Sequence, residues 1–475
     1  MRASTSARRS IDRFFLCSGL LLLGGCATLR TTLGGYATGA NGIARPQQQL
    51  RDALARGDFK SALAWHEDDE LLRRLDAGIA SYYAAQFTRS AAVLDSAALL
   101  ADDRITASLS KDALALLTSD LARPYQPRRT ERLFIPYYAM LAYARLDQWE
   151  DAAVEARRLS SLLAQYADDR DERERALHGA LHELAGAVFA RAGEPGDAAV
   201  AHRAARALVS AFADSGRAAA GMPAANSALG EVLVIVERGY VAHRVTETIE
   251  VDFERGDDDS VRVRDAGWGS GHQSGHRSAQ AASGSLPAPV AYVRRRHHHE
   301  IDDDYHLTIA FPSLRSSARP WGAIMLASSG VDTAGRAGVV ALVDAASAAD
   351  EGRERAAILA RAAARAAAKY AVVKAVRDRK GEVAGTLANV GASLLERADV
   401  RSWHLLPSEI TLLRLRLPAG PQRITLRIGS GAQTRLVDVG TVLVHAGSVD
   451  LAPVRLWQSP PLAPAVPADS PQPRP

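Results

Sequence analysis

The chain is poor in cysteine. Its 475 residues hold two, Cys17 and Cys26, too few for a disulfide framework. It also lacks a long apolar stretch. The run from Phe14 to Leu23 falls well short of the roughly 20 residues that a membrane-spanning helix needs. Charge of one sign is missing too: 58 Lys and Arg against 54 Asp and Glu give a formal charge of +4. That balance supplies no overall electrostatic reason to bind nucleic acid. Familiar catalytic signatures are absent. There is no Walker loop, no GxGxxG after a strand, no GxSxG elbow and no HExxH. Gly-Trp-Gly-Ser-Gly at 267–271 is glycine-rich but precedes no predicted helix, so it cannot cradle phosphate in the usual way. The sequence calls for no cofactor, and no catalytic residue is assigned from it.

What is present begins near the start. Arg2, Arg8, Arg9 and Arg13 flank the apolar run on one side, and Leu23-Gly24-Gly25-Cys26 closes it on the other. Charge, apolar length and small residues fall in the order of a secretory signal. The closing tetrapeptide resembles the lipobox of bacterial lipoproteins. That resemblance implies a signal peptide over 1–25 and cleavage before Cys26, which becomes the acylated N-terminus. Several acyl chains on one residue anchor stably, where one chain alone binds marginally. Cys17 would leave with the signal, and the mature chain would carry formal charge +1, since four arginines and Asp12 go with it. Ala27, in place of an aspartate after the cysteine, implies the outer membrane, with the periplasmic face expected. Residues 26–46, with Gly34, Gly35, Gly39 and Gly42, read as the lipidated cysteine and a flexible tether.

From 47 to 215 the apolar spacing is helical. Gly57-Asp58-Phe59, then Gly78, Phe87 and Leu94, then Tyr143, Trp149 and Ala156, then Gly186, Phe189, Gly193 and Ala198 repeat loosely. Small residues where helices cross, with an aromatic near the turn, are what a tetratricopeptide-like hairpin requires. Such layers commonly hold partners, so an envelope protein is expected to dock on this one. From 230 to 457 the pattern changes to strands, opened by Val232-Leu-Val-Ile-Val236, with a low-complexity loop over 265–289. A helix is predicted over 351–379, with Arg361, Arg365 and Lys369 as a basic stripe; a solvated face is the plain reading of it. Turn chemistry predicts two hairpins, one joining 410–417 to 423–428 around Pro418–Gln422 and one joining 435–445 to 448–457 around Ala446-Gly447. The tail 458–475 is proline-rich and expected to be disordered. The predicted fold class is α+β: an N-terminal helical-repeat layer, then a mixed β-sheet domain with a long helix inserted.

Two stretches carry candidate side chains. In Asp399–Pro407, Asp, Arg, Ser and His sit close in sequence. Triad members come from separate elements, so a structural motif is expected: Asp399 pairs with Arg401 or caps a helix, Trp403 plugs a helix-to-strand junction, and Pro407 starts a strand. In Arg294–His306, His297, His299, Glu300 and His306 are competent metal ligands. They match no established ligand spacing, so no metal site is assigned to them. Arg294–Arg296 beside Asp302–Asp304 also suits a self-complementary hairpin.

The chain resembles a family of bacterial outer-membrane lipoproteins with tetratricopeptide-like N-terminal halves. The lipobox, Pro136–Tyr143 through Asp151–Arg157, Gly230–Val234, and Ala398-Asp-Val-Arg-Ser-Trp-His-Leu-Leu-Pro407 with Arg414 and Gly420 carry the likeness. It implies an envelope location, no established enzymatic activity, and a role in wall or surface assembly. The expected function is a non-enzymatic scaffold or accessory factor, anchored to the membrane by lipid. The alternatives are a metal-dependent hydrolase or metal carrier using His297–His306, and a module that binds peptidoglycan or another glycan.

Overall fold

A computed structural model of the chain describes residues 45–108, 123–212, 228–255, 261–268, 305–316, 324–328, 338–380, 398–429 and 434–457. Cys26, His297, His299, Glu300, the tether to residue 44 and the tail 458–475 lie outside the described residues. Residues 1–50 and 51–475 form two separate compact units. Of the first, only 45–50 are described, as the opening of helix α1 (Arg45–Ala55). The rest of the fold belongs to the second.

Among the described residues seven more α-helices follow: α2 (Phe59–Leu63), α3 (Glu70–Tyr83), α4 (Phe87–Ser108), α5 (Arg129–Arg145), α6 (Trp149–Gln165), α7 (Arg175–Arg191) and α8 (Pro195–Leu208). Their joints repeat one geometry four times. Gly57, Ala85, Asp147 and Gly193 all take positive φ, at 73°, 58°, 59° and 80°. In each case the next residue's N–H donates to a carbonyl five residues back. Asp58 bonds Ala53 at 2.8 Å, Gln86 bonds Ser81 at 2.9 Å, Gln148 bonds Tyr143 at 3.0 Å and Glu194 bonds Phe189 at 2.8 Å. This is a left-handed helix stop of the Schellman type. The residue after it opens the next helix: Phe59, Phe87, Trp149 and Pro195. Helix crossings keep the same register. Seven residues before the stop at Ala85, Gly78 meets Leu94; seven before Gly193, Gly186 meets His202. At the Asp147 stop the matching positions are Met140 and Ala156, both fully buried, with large and small exchanged.

Among the described residues ten strands follow, and α9 (Val343–Lys380) lies between β6 (Val339–Leu342) and β7 (Glu409–Pro418). β1 (Leu229–Arg238) is central in a mixed sheet ordered β10-β1-β7-β6, parallel to β10 (Val449–Leu456) and antiparallel to β7. A second sheet runs β5-β8-β9, with β5 Ile324–Ser328, β8 Gly420–Ile428 and β9 Arg435–Val444. The third runs β3-β2-β4, with β2 His243–Arg255, β3 Val261–Trp268 and β4 Tyr305–Arg315. The class is α+β.

Side chains alternate across a strand, and β1 uses both faces. Val232, Val234 and Val236 join Leu413, Leu415 and Leu417 of β7 and Ile424, Leu426 and Ile428 of β8 in one core. The opposite face of the same sheet meets the helices: α7 packs on β6, β7 and β10.

Three expectations are corrected here. The two predicted hairpins do not form. β7 pairs with β1 and β6 while β8 pairs with β5 and β9. The turn between them, where Gly420 has φ 106°, is a corner between two sheets. β10 likewise leaves β9 to pair with β1. Turn residues mark where a chain bends, and burial of two apolar faces decides the partner. Asp265–Trp268, expected to open the loop over 265–289, belong to β3, and 269–289 lie outside the described residues. The inserted helix begins at Val343 instead of 351. From Arg51 onward the described helices and strands belong to one compact unit.

Candidate functional site at the junction of helices and sheet

The stretch Asp399–Ser408 lies where the helices meet the sheet, and its polar groups are engaged one after another. Arg401 forks onto Asp399, Nε to Oδ1 at 2.8 Å and Nη2 to Oδ2 at 2.7 Å. The same Nη2 donates to the Arg123 carbonyl at 2.7 Å, and Nη1 stands 3.6 Å from Asp69. Asp69 caps α3, accepting from Leu71 N–H at 2.9 Å, and pairs with Arg104 at 2.8 Å. Burial works to raise the Asp69 pKa, but the Arg104 guanidinium and the Tyr125 N–H outweigh it and hold the carboxyl below its ordinary value.

Trp403 is fully buried. Its backbone N–H donates to Glu131 Oε1 at 2.7 Å, while Glu131 Oε2 accepts from the Arg128 backbone N–H at 2.8 Å and so caps α5. The indole lies 6.2 Å from the Tyr138 ring. Its Nε1 has no acceptor among the described residues.

The carbonyls that follow are each taken. His404 O accepts from Arg51, Nη2 at 2.5 Å and Nε at 3.1 Å. Leu405 O accepts from Arg455 Nη2 at 3.1 Å, and Leu406 O from Val241 N–H at 2.8 Å. Pro407 is buried and leads into Ser408, whose carbonyl accepts the Val343 and Asp344 N–H groups at the start of α9. A proline fits ahead of a strand because it has no N–H to offer a ladder.

Around these carbonyls lies an aromatic cluster that carries two arginines. Arg51 sits 4.6 Å above the Tyr240 ring, whose hydroxyl donates to the Arg51 carbonyl at 2.7 Å. Arg455 lies 4.5 Å from the Trp457 ring, 5.5 Å from Tyr240 and 5.8 Å from Tyr83. Glu237 on β1 is fully buried and accepts from Tyr137 at 3.0 Å and from Tyr83. Burial lowers the Arg51 pKa to about 10. Burial opposes the Arg455 charge too, yet Tyr83, Tyr138 and Glu237 outweigh it and raise the pKa.

A second clasp lies along β7. Arg414 donates to Glu183 of α7 at 2.7 Å and to Glu231 of β1 at 2.5 Å. Glu183 also meets His202 Nδ1 at 2.8 Å, and Glu231 accepts from Arg416 at 3.1 Å. A third clasp joins α9 to the helices: Arg353 reaches Glu174 at 2.9 Å and Asp350 at 3.1 Å, and Asp350 accepts the Thr130 N–H at 2.8 Å.

Chemically, this arrangement fastens. The carboxyl of Asp399 is committed to Arg401. Burial, with Arg51 adding to it, lowers the His404 pKa to about 3, so its ring is neutral, and Nδ1 stands 3.4 Å from the Ser402 carbonyl. Ser402 borders a cleft with Arg128, Thr130, Arg244 and Asp350 that offers about 20 Å³, space for a water molecule. Reading the sequence missed Arg51, Glu237, Arg455 and the Arg414–Glu183 pair. A signal was there: Glu231, Glu237, Arg414 and Arg416 interrupt otherwise apolar strands, and charges buried in a sheet need partners. His306 occupies a position on β4, while its side chain, like those of Arg365 and Lys369 on α9, lies outside the described ones. No family model, curated protein or solved structure matches the chain.

Proposed function

We propose that the protein is a lipid-anchored, periplasm-facing lipoprotein of the outer membrane, serving as a non-enzymatic scaffold or accessory factor in envelope or surface assembly. The anchor is Cys26, after an ordered signal ending at Gly25. The helices form a tetratricopeptide-like layer, a reading supported by the four equivalent helix stops and the matched crossings Gly78–Leu94 and Gly186–His202.

The observation that carries the scaffold reading is the fastening of helices to sheet. Two sets of arginines, Arg51 with Arg455 and then Arg414, clasp carbonyls and carboxylates across the junction, and Arg353 ties α9 to the helices beside it. Buried charge pairs contribute little net stability but penalise any arrangement that separates them. A layer locked in this way offers partners a fixed shape. Because α7 already packs on the sheet, an envelope partner docks on the faces of the helices turned away from it.

Two measurements test this. Cys26→Ser releases the protein from the outer-membrane fraction or leaves the precursor uncleaved; unchanged fractionation with a normal mature N-terminus sinks the anchor. Affinity purification of the mature protein from solubilised envelopes recovers a stoichiometric envelope protein. Recovery of the protein alone, under conditions that preserve other envelope complexes, sinks the scaffold.

A further inference from the structure

The helical layer holds a groove walled by α4 and α6 and floored by α5. α4 packs on α3 and α5, and α6 packs on α5 and α7. Residues three, four or seven apart share one side of a helix. α4 therefore turns Asp95 and Asp102 to the groove, and α6 turns Asp151, Glu155 and Arg158. Contacts fix both ends of it. Asp102 stands 3.2 Å from Arg132 of α5 and 3.2 Å from Arg158 of α6. Two turns earlier on α4, Asp95 Oδ2 accepts from the Tyr143 hydroxyl of α5 at 2.7 Å.

The two ends differ in how their carboxyls are met. Asp102 has two guanidinium groups. At the other end, Asp95 Oδ1 is buried with no hydrogen-bond partner among the described residues. The Glu155 side chain is only 9% exposed, and the cation beside it, Arg158, stands 4.0 Å away and is already committed to Asp102. Burial pushes the Glu155 pKa up to about 7, with Arg158 opposing and Asp95 adding. Asp95, Asp151 and Glu155 all bear on the Tyr143 hydroxyl, whose pKa is raised by burial and by Asp95, so it stays a donor. A buried carboxyl without a partner is costly, and an arriving cation would relieve it. The rims beside this pair are apolar: Leu99, one turn on from Asp95, is 66% exposed, and Val154, next to Glu155, is 55% exposed.

We propose that this end of the groove binds an arginine side chain of a protein partner. Asp95 and Glu155 clasp the guanidinium, and Leu99 and Val154 take the apolar residues that flank it. The inference rests on the scaffold reading and adds where the partner docks and by what chemistry. Among the described residues no three His, Cys, Asp or Glu side chains come together to hold a metal ion, so the cation is one that brings several donors of its own. A guanidinium offers five in a planar fork, enough for Asp95 Oδ1 and both oxygens of Glu155. The Asp102 end shows the same chemistry completed from within the chain. Charge complementarity selects a basic segment, and the apolar rims favour an arginine set among hydrophobic neighbours, the composition of interface anchors.

The experiment titrates the full chain with a capped Ala-Leu-Arg-Leu-Ala peptide, and with the same peptide carrying citrulline, the uncharged isostere of arginine. Circular dichroism accompanies every variant. The arginine peptide is expected to bind roughly tenfold more tightly than the citrulline peptide. Asp95→Asn and Glu155→Gln each weaken it roughly fivefold, while Glu150→Gln, an exposed residue on another side of α6, leaves it unchanged. Binding ionises Glu155, so affinity falls as pH drops from about 8 to about 6. Glu155→Gln removes that dependence, although Asp95 of α4, Tyr143 of α5 and Asp151 and Arg158 of α6, which face the same carboxyl, all remain. Equal binding of the two peptides overturns the proposal. So does binding that neither carboxyl substitution weakens, and so does absence of binding. Should Asp95→Asn unfold, Glu155→Gln decides alone. Envelope purification separates this from the scaffold reading. A partner recovered equally by the wild type and by the double variant Asp95→Asn, Glu155→Gln overturns the groove and keeps the scaffold. Recovery of no partner sinks the scaffold, and the peptide titration still decides the groove.

Discussion

Gly186 and His202 interlock where α7 crosses α8. A Cβ built on residue 186 would stand 2.6 Å from the imidazole Cε1. The imidazole cannot swing aside freely, because Nδ1 is held 2.8 Å from Glu183, which also binds Arg414. Gly186→Ala therefore overpacks a pinned group. Such changes cost about 1–3 kcal/mol, partly offset by the roughly 1 kcal/mol alanine gains over glycine in a helix. The expected outcome is net destabilisation in urea melts. His202→Ala in the same chain restores room and makes Gly186→Ala neutral or better. A destabilisation that persists unchanged in the His202→Ala background rules out this contact as the cause.

Trp403 has the burial of a core residue and sits on the junction, so its removal should be felt on both sides. Trp403→Ala is expected to cost about 3–5 kcal/mol. Trp403→Phe is expected to cost less, since Nε1 has no acceptor among the described residues to lose. Helices and sheet belong to one compact unit from Arg51 onward. The far-ultraviolet signal and the tryptophan fluorescence should therefore fall together in one lowered transition. A two-step melt, with the helical signal unmoved, would contradict this.

Asp76 on α3 is buried, and neither carboxyl oxygen has a hydrogen-bond partner among the described residues. Burial, and then the nearby Glu67, push its pKa well above the ordinary 3.8. The sign follows from linkage. The folded state binds this proton more tightly than the unfolded state, so the contribution to stability is full below about pH 3.8. It is lost as pH rises from there through the elevated folded value. Asp76→Asn removes the titration. The melting-temperature difference, variant minus wild type, should grow as pH rises from 4 toward neutral. A difference that stays constant over that range would show that Asp76 does not titrate there.

Much of the architecture was legible in the sequence, for reasons that particular residues make plain. Val232–Val236 reads as a buried strand because β-branched residues are packed without a polar break, and β1 is covered on both faces. Gly57, Phe87, Trp149 and Gly193 mark helix stops and starts because positive φ and a ring at the turn leave a local imprint. The partners of β8 and β10 were not legible, since Pro418–Gln422 and Ala446-Gly447 record only a bend. At the junction, the ring of Trp403 and the fork of Arg401 on Asp399 are local enough to be expected from spacing. The hold of Arg51 on the His404 carbonyl spans 353 residues, and no short-range pattern encodes it.

The parallel partnership of β1 and β10 sets an order of events for the folding chain. Glu231 and Val449 are register partners 218 residues apart. The centre of the mixed sheet thus waits for one of the latest strands to emerge before its ladder can close. Contacts this distant slow folding, because loop closure comes before any gain from pairing. Until Val449–Leu456 arrives, one edge of β1 stands open, flanked by the apolar run 232–236, and open edges of this kind recruit foreign strands. A chain in which that strand is missing therefore leaves the ladder of β1 half closed, with its edge free to pair elsewhere.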